Sequence, residues 1–175
     1  NEPFAGRSAL PGVLLLPGEL LIDAVHRAVG TKLGAAAGGV VHVTQVGAFD
    51  GTNRDPRGAT ISIAHLALFD PAASNLTTGQ WVAQQTGLPF DHEAIIDAAQ
   101  NELGLRLWND WPLTRAVLGE EFTTKTALAL SHRLDALPNR ASNIARWLEA
   151  TGRVERTGHS GRAAVWSWLS EAELT

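Results

Sequence analysis

Two groups of side chains in this 175-residue chain have the types and spacing to do chemistry. Arg54 and Arg57 stand in the charged turn Asp50–Gly58, which Pro56 tightens. Two guanidiniums so placed suit bidentate capture of phosphate oxygens. In an isolated loop, a local surface ion pair between Arg54 and Asp55 is the plainer reading, and such pairs are worth little. The second group is basic and lies late in the chain: Lys125, Arg140, Asn143 and Arg146, then Arg153, Arg156, His159 and Arg162. Arginine pairs with guanine and asparagine with adenine in the major groove. Lys125 and Ser142 suit phosphate contacts, and basic residues on a hairpin meet backbone phosphate. A solvated surface is the bland alternative for isolated arginines, but their clustering favours nucleic acid.

The elements that must position these groups differ along the chain. Glu19–Leu33 carries Leu21, Ile22, Val25, Val29 and Leu33 at amphipathic helix spacing, closed by Gly34. Val40–Phe49 and Ala59–Phe69 read as strands, with the arginine turn between them, and 71–89 reads as loop. Asp91–Leu107 reads as a helix capped by Asp91, with Ile95, Ile96, Ala99 and Leu103 on its buried side. His65 falls among apolar strand residues and reads as structural; His92 opens the helix. After a helical stretch ending near Glu120, Thr123 or Thr124 can cap a helix over Thr124–Leu134. A second helix follows over Ser142–Ala150, with Ile144, Trp147 and Leu148 on the packed face and Arg140, Asn143 and Arg146 outward. Short strands Arg153–Thr157 and Ala163–Leu169 flank a Gly158–Gly161 turn, with Trp166 and Trp168 expected in the core. Two helices and a hairpin make a winged-helix pattern.

Charge divides the chain at the same place. Residues 1–121 hold 7 basic and 13 acidic side chains, and residues 122–175 hold 7 and 5. The overall net charge of -4 therefore combines an acidic part of -6 with a basic part of +2, and does not argue against DNA. Two domains are expected, 1–121 and 122–175. Zero Cys excludes disulfides, thiolate catalysis and Cys-ligated zinc. No apolar run reaches the roughly 18 residues of a membrane span. Asn1–Pro11 has neither a basic start nor an apolar core, so no signal peptide is visible and the bacterial cytoplasm is the expected compartment.

Leu10-Pro11-Gly12 through Gly34 resembles the Nudix box, G-x5-E-x7-R-E-U-x-E-E-x-G-U with U apolar. Glu19 falls on the first acid, Arg27 on the arginine, Val29 on an apolar position and Gly34 on the closing glycine. Val13 replaces a glycine, and Ala28, Thr31 and Lys32 replace the acids after Arg27. Nudix hydrolases hold divalent cations on those carboxylates to activate water and neutralise the diphosphate. Glu19 alone cannot organise a hard cation, so no metal site and no hydrolysis are expected.

The segment Phe49–Leu68, with Arg54-Asp55-Pro56-Arg57-Gly58, resembles the ADP-ribose-type Nudix segment. With the degenerate box and the C-terminal winged helix, the chain resembles the Nudix-related transcriptional regulators of NAD metabolism over nearly its whole length. Asn143-Ile144-Ala145-Arg146 matches that family's N-apolar-x-R recognition pattern. The resemblance implies an α+β protein, a Nudix-like α/β/α sandwich followed by a winged helix-turn-helix. It implies a homodimer that binds palindromic promoter DNA and represses NAD biosynthesis or salvage genes, with ADP-ribose or a related nucleotide as effector and no cofactor. Arg7, Glu19, Arg54 and Arg57 are then the expected ligand-binding residues, and Lys125, Arg140, Ser142, Asn143, Arg146, Arg153, Arg156, His159 and Arg162 the expected DNA-binding ones. It also implies strands ahead of Phe4-Ala-Gly-Arg7, and a chain without Met is expected to be part of a longer product. The alternative is an ADP-ribose pyrophosphatase-like Nudix hydrolase with an appended domain.

Overall fold

The computed structural model describes residues 4–35, 37–52, 54–83, 86–138 and 140–170, and of 37, 141 and 142 the backbone alone. The chain divides into two compact units, Asn1–Ala99 and Gln100–Thr175.

In the first unit, helix α1 (Leu21–Ala28) continues as a π turn over Val29–Leu33 and stops at Gly34, whose left-handed φ of 62° suits glycine. The helix begins two residues after Glu19, because the Glu19 carboxylate is turned back to accept the Leu16 N–H at 2.9 Å. It buries Ala24 and Val29 and leaves Leu21 and Ile22 exposed, so the apolar stripe is only partly used. Strand β1 (Val40–Phe49) pairs antiparallel with β2 (Ser62–Phe69), Gln45 opposite His65, with register shifts on β1 at 40–42 and 45–47. β2 starts later than the expected Ala59 because the connection closes its own turn, Gly58 N–H to Asp55 O at 3.2 Å. Residues 71–83 carry only a 3-10 turn at Pro71–Ala73, and the Thr77 and Thr78 amides both satisfy the Leu33 carbonyl at the end of the π turn.

Helix α2 (His92–Arg106) falls across the division. It buries no residue fully; Ile95, Ile96, Ala99 and Leu103 are half-buried. Among the described residues no helix is long and apolar enough to cross a membrane.

The second unit contains the helical stretch expected to end near Glu120 and one short strand that alternation did not resolve. Helix α3 (Trp111–Leu118) starts at Asp110, whose carboxylate accepts the Leu113 N–H at 3.1 Å, with Pro112 in its first turn. Strand β3 (Glu121–Thr123) is too short for a period-two pattern. Thr123 caps helix α4 (Thr124–Arg133) through the Thr126 N–H at 3.0 Å, as expected. Helix α5 (Ala141–Thr151) ends at left-handed Gly152. Strands β4 (Val154–Ser160) and β5 (Ala163–Trp168) complete a sheet ordered β3-β5-β4, all antiparallel. The expected Gly158–Gly161 turn is a strand for most of its length: Gly158 lies in a bulge, and the chain reverses at Gly161-Arg162.

One core holds this unit together: Leu107, Trp108, Leu118, Phe122, Ala127, Ala136, Ile144, Leu148, Val154, Ala164 and Trp166. Its two indoles are satisfied, Trp108 Nε1 donating to Ser131 Oγ and Trp166 Nε1 to Thr124 Oγ1, each at 2.8 Å. Trp168 is half-buried and donates to the Gly119 carbonyl at 2.8 Å. Leu107, Trp108 and Leu118 belong to this core, and the compact units divide at 99/100.

Candidate functional site

The connection between β1 and β2 carries both expected phosphate-binding arginines, and each is held by a carboxylate. Arg54 does not pair with its neighbour Asp55. It reaches Asp91, with Nε on Oδ2 at 2.7 Å and Nη2 on Oδ1 at 2.6 Å, while Nη1 donates to Ser62 Oγ at 2.7 Å. Its side chain is 7% exposed. The Asp91 carboxylate is thus spent on Arg54 instead of capping α2, and that guanidinium holds it below the usual carboxylate range. Asp55 turns to Arg57, accepting from its Nε at 2.9 Å, its Nη2 at 2.7 Å and its backbone N–H at 2.9 Å. Those bonds bring Asp55 down to about 2. The Asp55 side chain is 7% exposed, whereas that of Arg57 is 60% exposed.

Two phenylalanines gather these groups. The Arg57 guanidinium lies 5.7 Å from the Phe90 ring centre, and Phe90 meets Phe4 edge-on at 4.8 Å. Arg7 lies 5.5 Å from the centre of Phe4 and donates to the Gly87 carbonyl. Arg57 and Arg54 therefore meet at Phe90-Asp91, and Arg7 is linked to Phe90 through Phe4. Phe90 has a φ of 60°, a left-handed backbone that costs a bulky residue energy and that functional sites often retain. Phe4 and Phe90 had no signal in the sequence, since neither lies in a periodic element. His92 is structural here: burial lowers its pKa, and the neutral ring accepts the Leu10 N–H on Nδ1 at 3.0 Å.

Glu19 is engaged elsewhere. Arg27 donates to both its oxygens at 2.7 Å and also to the Leu14 carbonyl at 2.8 Å. The paired guanidinium, more than any other contact, brings Glu19 down to about 2. On the following turn Ala28 is half-buried, the Thr31 hydroxyl donates to the Arg27 carbonyl at 2.7 Å, and Lys32 is exposed. Among the described residues no group of three or more His, Asp or Glu side chains lies close enough to hold a metal ion.

In the second unit, α5 buries Ile144 and Leu148 completely and exposes Asn143 and Arg146. Arg140 occupies its extended N-cap position, also exposed, and Lys125 is exposed on α4. The Ser142 side chain lies outside the described residues. Trp147 is half-buried, stacked on Trp111 at 5.8 Å and edge-on to Trp108 at 5.3 Å. Arg140, Asn143 and Trp147 line a shallow pocket with Pro138 and Leu137, whose side chain is largely in solvent. Arg153 does not sit at the hairpin tip: it precedes β4 and lies over the Trp111 ring at 5.6 Å. Arg156 and His159 are joined side chain to side chain along β4, and Arg162 is exposed at the tip.

These units make a mixed α and β fold of the Nudix type with an appended helix–helix–hairpin unit. The chain matches the crystal structure of Shewanella oneidensis NrtR with a TM-score of 0.75 at 23% identity, over 100% of this chain and 85% of that one. It matches the same protein complexed with a 27mer DNA with a TM-score of 0.71 at 23% identity, over 99% and 84%. A MutT/Nudix family protein from Enterococcus faecalis matches with a TM-score of 0.65 at 19% identity, over 97% and 78%. At these identities the likeness is one of fold. No protein-family model and no curated protein matches the chain.

Proposed function

We propose that the protein is a DNA-binding transcription regulator with a catalytically inactive Nudix-like sensor. In this reading the helix–helix–hairpin unit is a winged helix that binds palindromic promoter DNA within a homodimer, and α5 is its recognition helix. The observation that carries the reading is the division of α5 into two faces: Ile144 and Leu148 buried, Arg140, Asn143 and Arg146 in solvent. That set has donors for guanine and for adenine on one exposed edge. The first unit offers Arg57 over Phe90 and Arg7 over Phe4, with Phe4 and Phe90 in contact, which suits an ADP-ribose-type diphosphate as effector. The regulated genes are those of NAD biosynthesis or salvage, repressed in the bacterial cytoplasm until the effector binds. Effector and operator are then coupled, because each favours a different state of the dimer.

A mobility-shift assay with a palindromic fragment of the protein's own promoter region tests this. Retarded complex that disappears on adding ADP-ribose is expected. A complex that saturating ADP-ribose leaves unchanged contradicts the sensor, and absence of any sequence-selective complex contradicts the regulator.

A further inference from the structure

The two arginines of the β1–β2 connection are both paired with carboxylates, yet they are not equivalent. Arg54 is closed off, with three of its nitrogens occupied by Asp91 and Ser62 and its side chain 7% exposed. Arg57 keeps 60% of its side chain in solvent. We propose that Arg57 and Asp55 form an exchangeable ion pair: the diphosphate of a ligand takes the place of Asp55 on the Arg57 guanidinium, while Arg54 stays on Asp91 as a positioning residue. This rests on the reading of the first unit as a sensor of a diphosphate ligand.

The chemistry of the exchange follows from the contacts. Asp55 accepts from the Arg57 backbone N–H at 2.9 Å as well as from its guanidinium. The carboxylate therefore keeps a hydrogen-bond donor after the guanidinium leaves. Moving Arg54, by contrast, would strand a desolvated cation beside Ser62. Phe90 supports Arg57 from one side at 5.7 Å, and that ring is braced by Phe4. The internal carboxylate also sets a threshold. Asp55 is held at about 2, so near neutral pH it remains a charged competitor. A monoanion gains nothing by replacing it, whereas a diphosphate brings more charge and more acceptor oxygens. The site should therefore select diphosphates over simple carboxylates.

Calorimetry on the full chain tests this with inorganic pyrophosphate and ADP-ribose as probes and Asp55→Asn, Arg57→Gln and Asp91→Asn as variants, each checked by circular dichroism to be fully folded at the assay temperature. Asn at 55 keeps the acceptor for the turn and removes the competing charge. Asp55→Asn is expected to bind pyrophosphate about two- to fivefold tighter, the worth of releasing one ion pair whose arginine is solvated. Arg57→Gln should abolish that gain and weaken binding below wild type, and Asp91→Asn should not tighten it. Unchanged or weaker binding in Asp55→Asn overturns the proposal, as does tighter binding in Asp91→Asn. Should Asp91→Asn melt early, Arg54→Lys serves instead: a loss of affinity as large as that of Arg57→Gln, with fold intact, overturns the assignment of Arg54 as positioning only. ADP-ribose bound equally by wild type, Asp55→Asn and Arg57→Gln keeps the nucleotide sensor and overturns the exchange. Pyrophosphate tightening without any ADP-ribose binding keeps the exchange and refutes the nucleotide sensor.

Discussion

Arg27 closes on Glu19 from one side, its Nε on one carboxylate oxygen and its Nη2 on the other, both at 2.7 Å. Both oxygens of the Glu19 carboxylate are therefore occupied by Arg27. The expected result is no Mg²⁺-dependent release of AMP from ADP-ribose, measured by chromatography at high protein concentration. Release that Glu19→Gln abolishes would show that the pair opens to admit a metal.

Acid should weaken the first unit. Glu19 and Asp55 both fall to about 2, from ordinary values of 4.5 and 3.8. Folded values below unfolded ones mean that this stabilisation is fully present above about pH 4.5 and fades as pH falls toward 2. Thermal melts followed by circular dichroism from pH 7 to pH 2 should show the decline. The Glu19→Gln and Asp55→Asn double variant should show a shallower one.

The core of the second unit supplies a stability test. Leu148 has no exposed surface, and its truncation to alanine should cost about 2–5 kcal/mol in urea unfolding. Ser131→Ala leaves the Trp108 indole N–H without its acceptor and should cost about 1–3 kcal/mol. An effect of Ser131→Ala below a few tenths would mean that the indole finds another partner.

Basic residues of the second unit should separate by role. Arg146→Ala should cost about 1–3 kcal/mol of operator affinity and relax selectivity at one base pair. Arg162→Ala, at the hairpin tip, should weaken all duplexes alike and lower the salt slope by about 1. Arg153→Ala should leave that slope unchanged and instead lower the melting temperature, because Arg153 lies over Trp111. Titrations of a fluorescent duplex at several salt concentrations measure all three.

What the sequence made legible follows from range. The 3.6-residue pattern of Ile144 and Leu148, the Thr123 cap and the alternating run Val40–Phe49 are local, and each element formed where local rules put it. The β1–β2 connection was legible as an arginine pair but not as ion pairs: Asp91 lies 37 residues from Arg54, and no spacing rule links them. Phe4 and Phe90 become partners only in three dimensions. Strand β3 is a short piece whose Phe122 answers to the shared core. For Arg153 the sequence did not show the Trp111 ring beneath its guanidinium, 42 residues away.

In the proposed function, a nucleotide bound at the β1–β2 connection controls what the exposed face of α5 does to DNA. Fluorescence anisotropy of a palindromic promoter duplex, titrated with the protein in the absence and presence of ADP-ribose, tests it most directly. The account predicts tight, salt-dependent binding that Arg146→Ala weakens and that ADP-ribose reverses in wild type. Binding indifferent to both Arg146→Ala and ADP-ribose would contradict it.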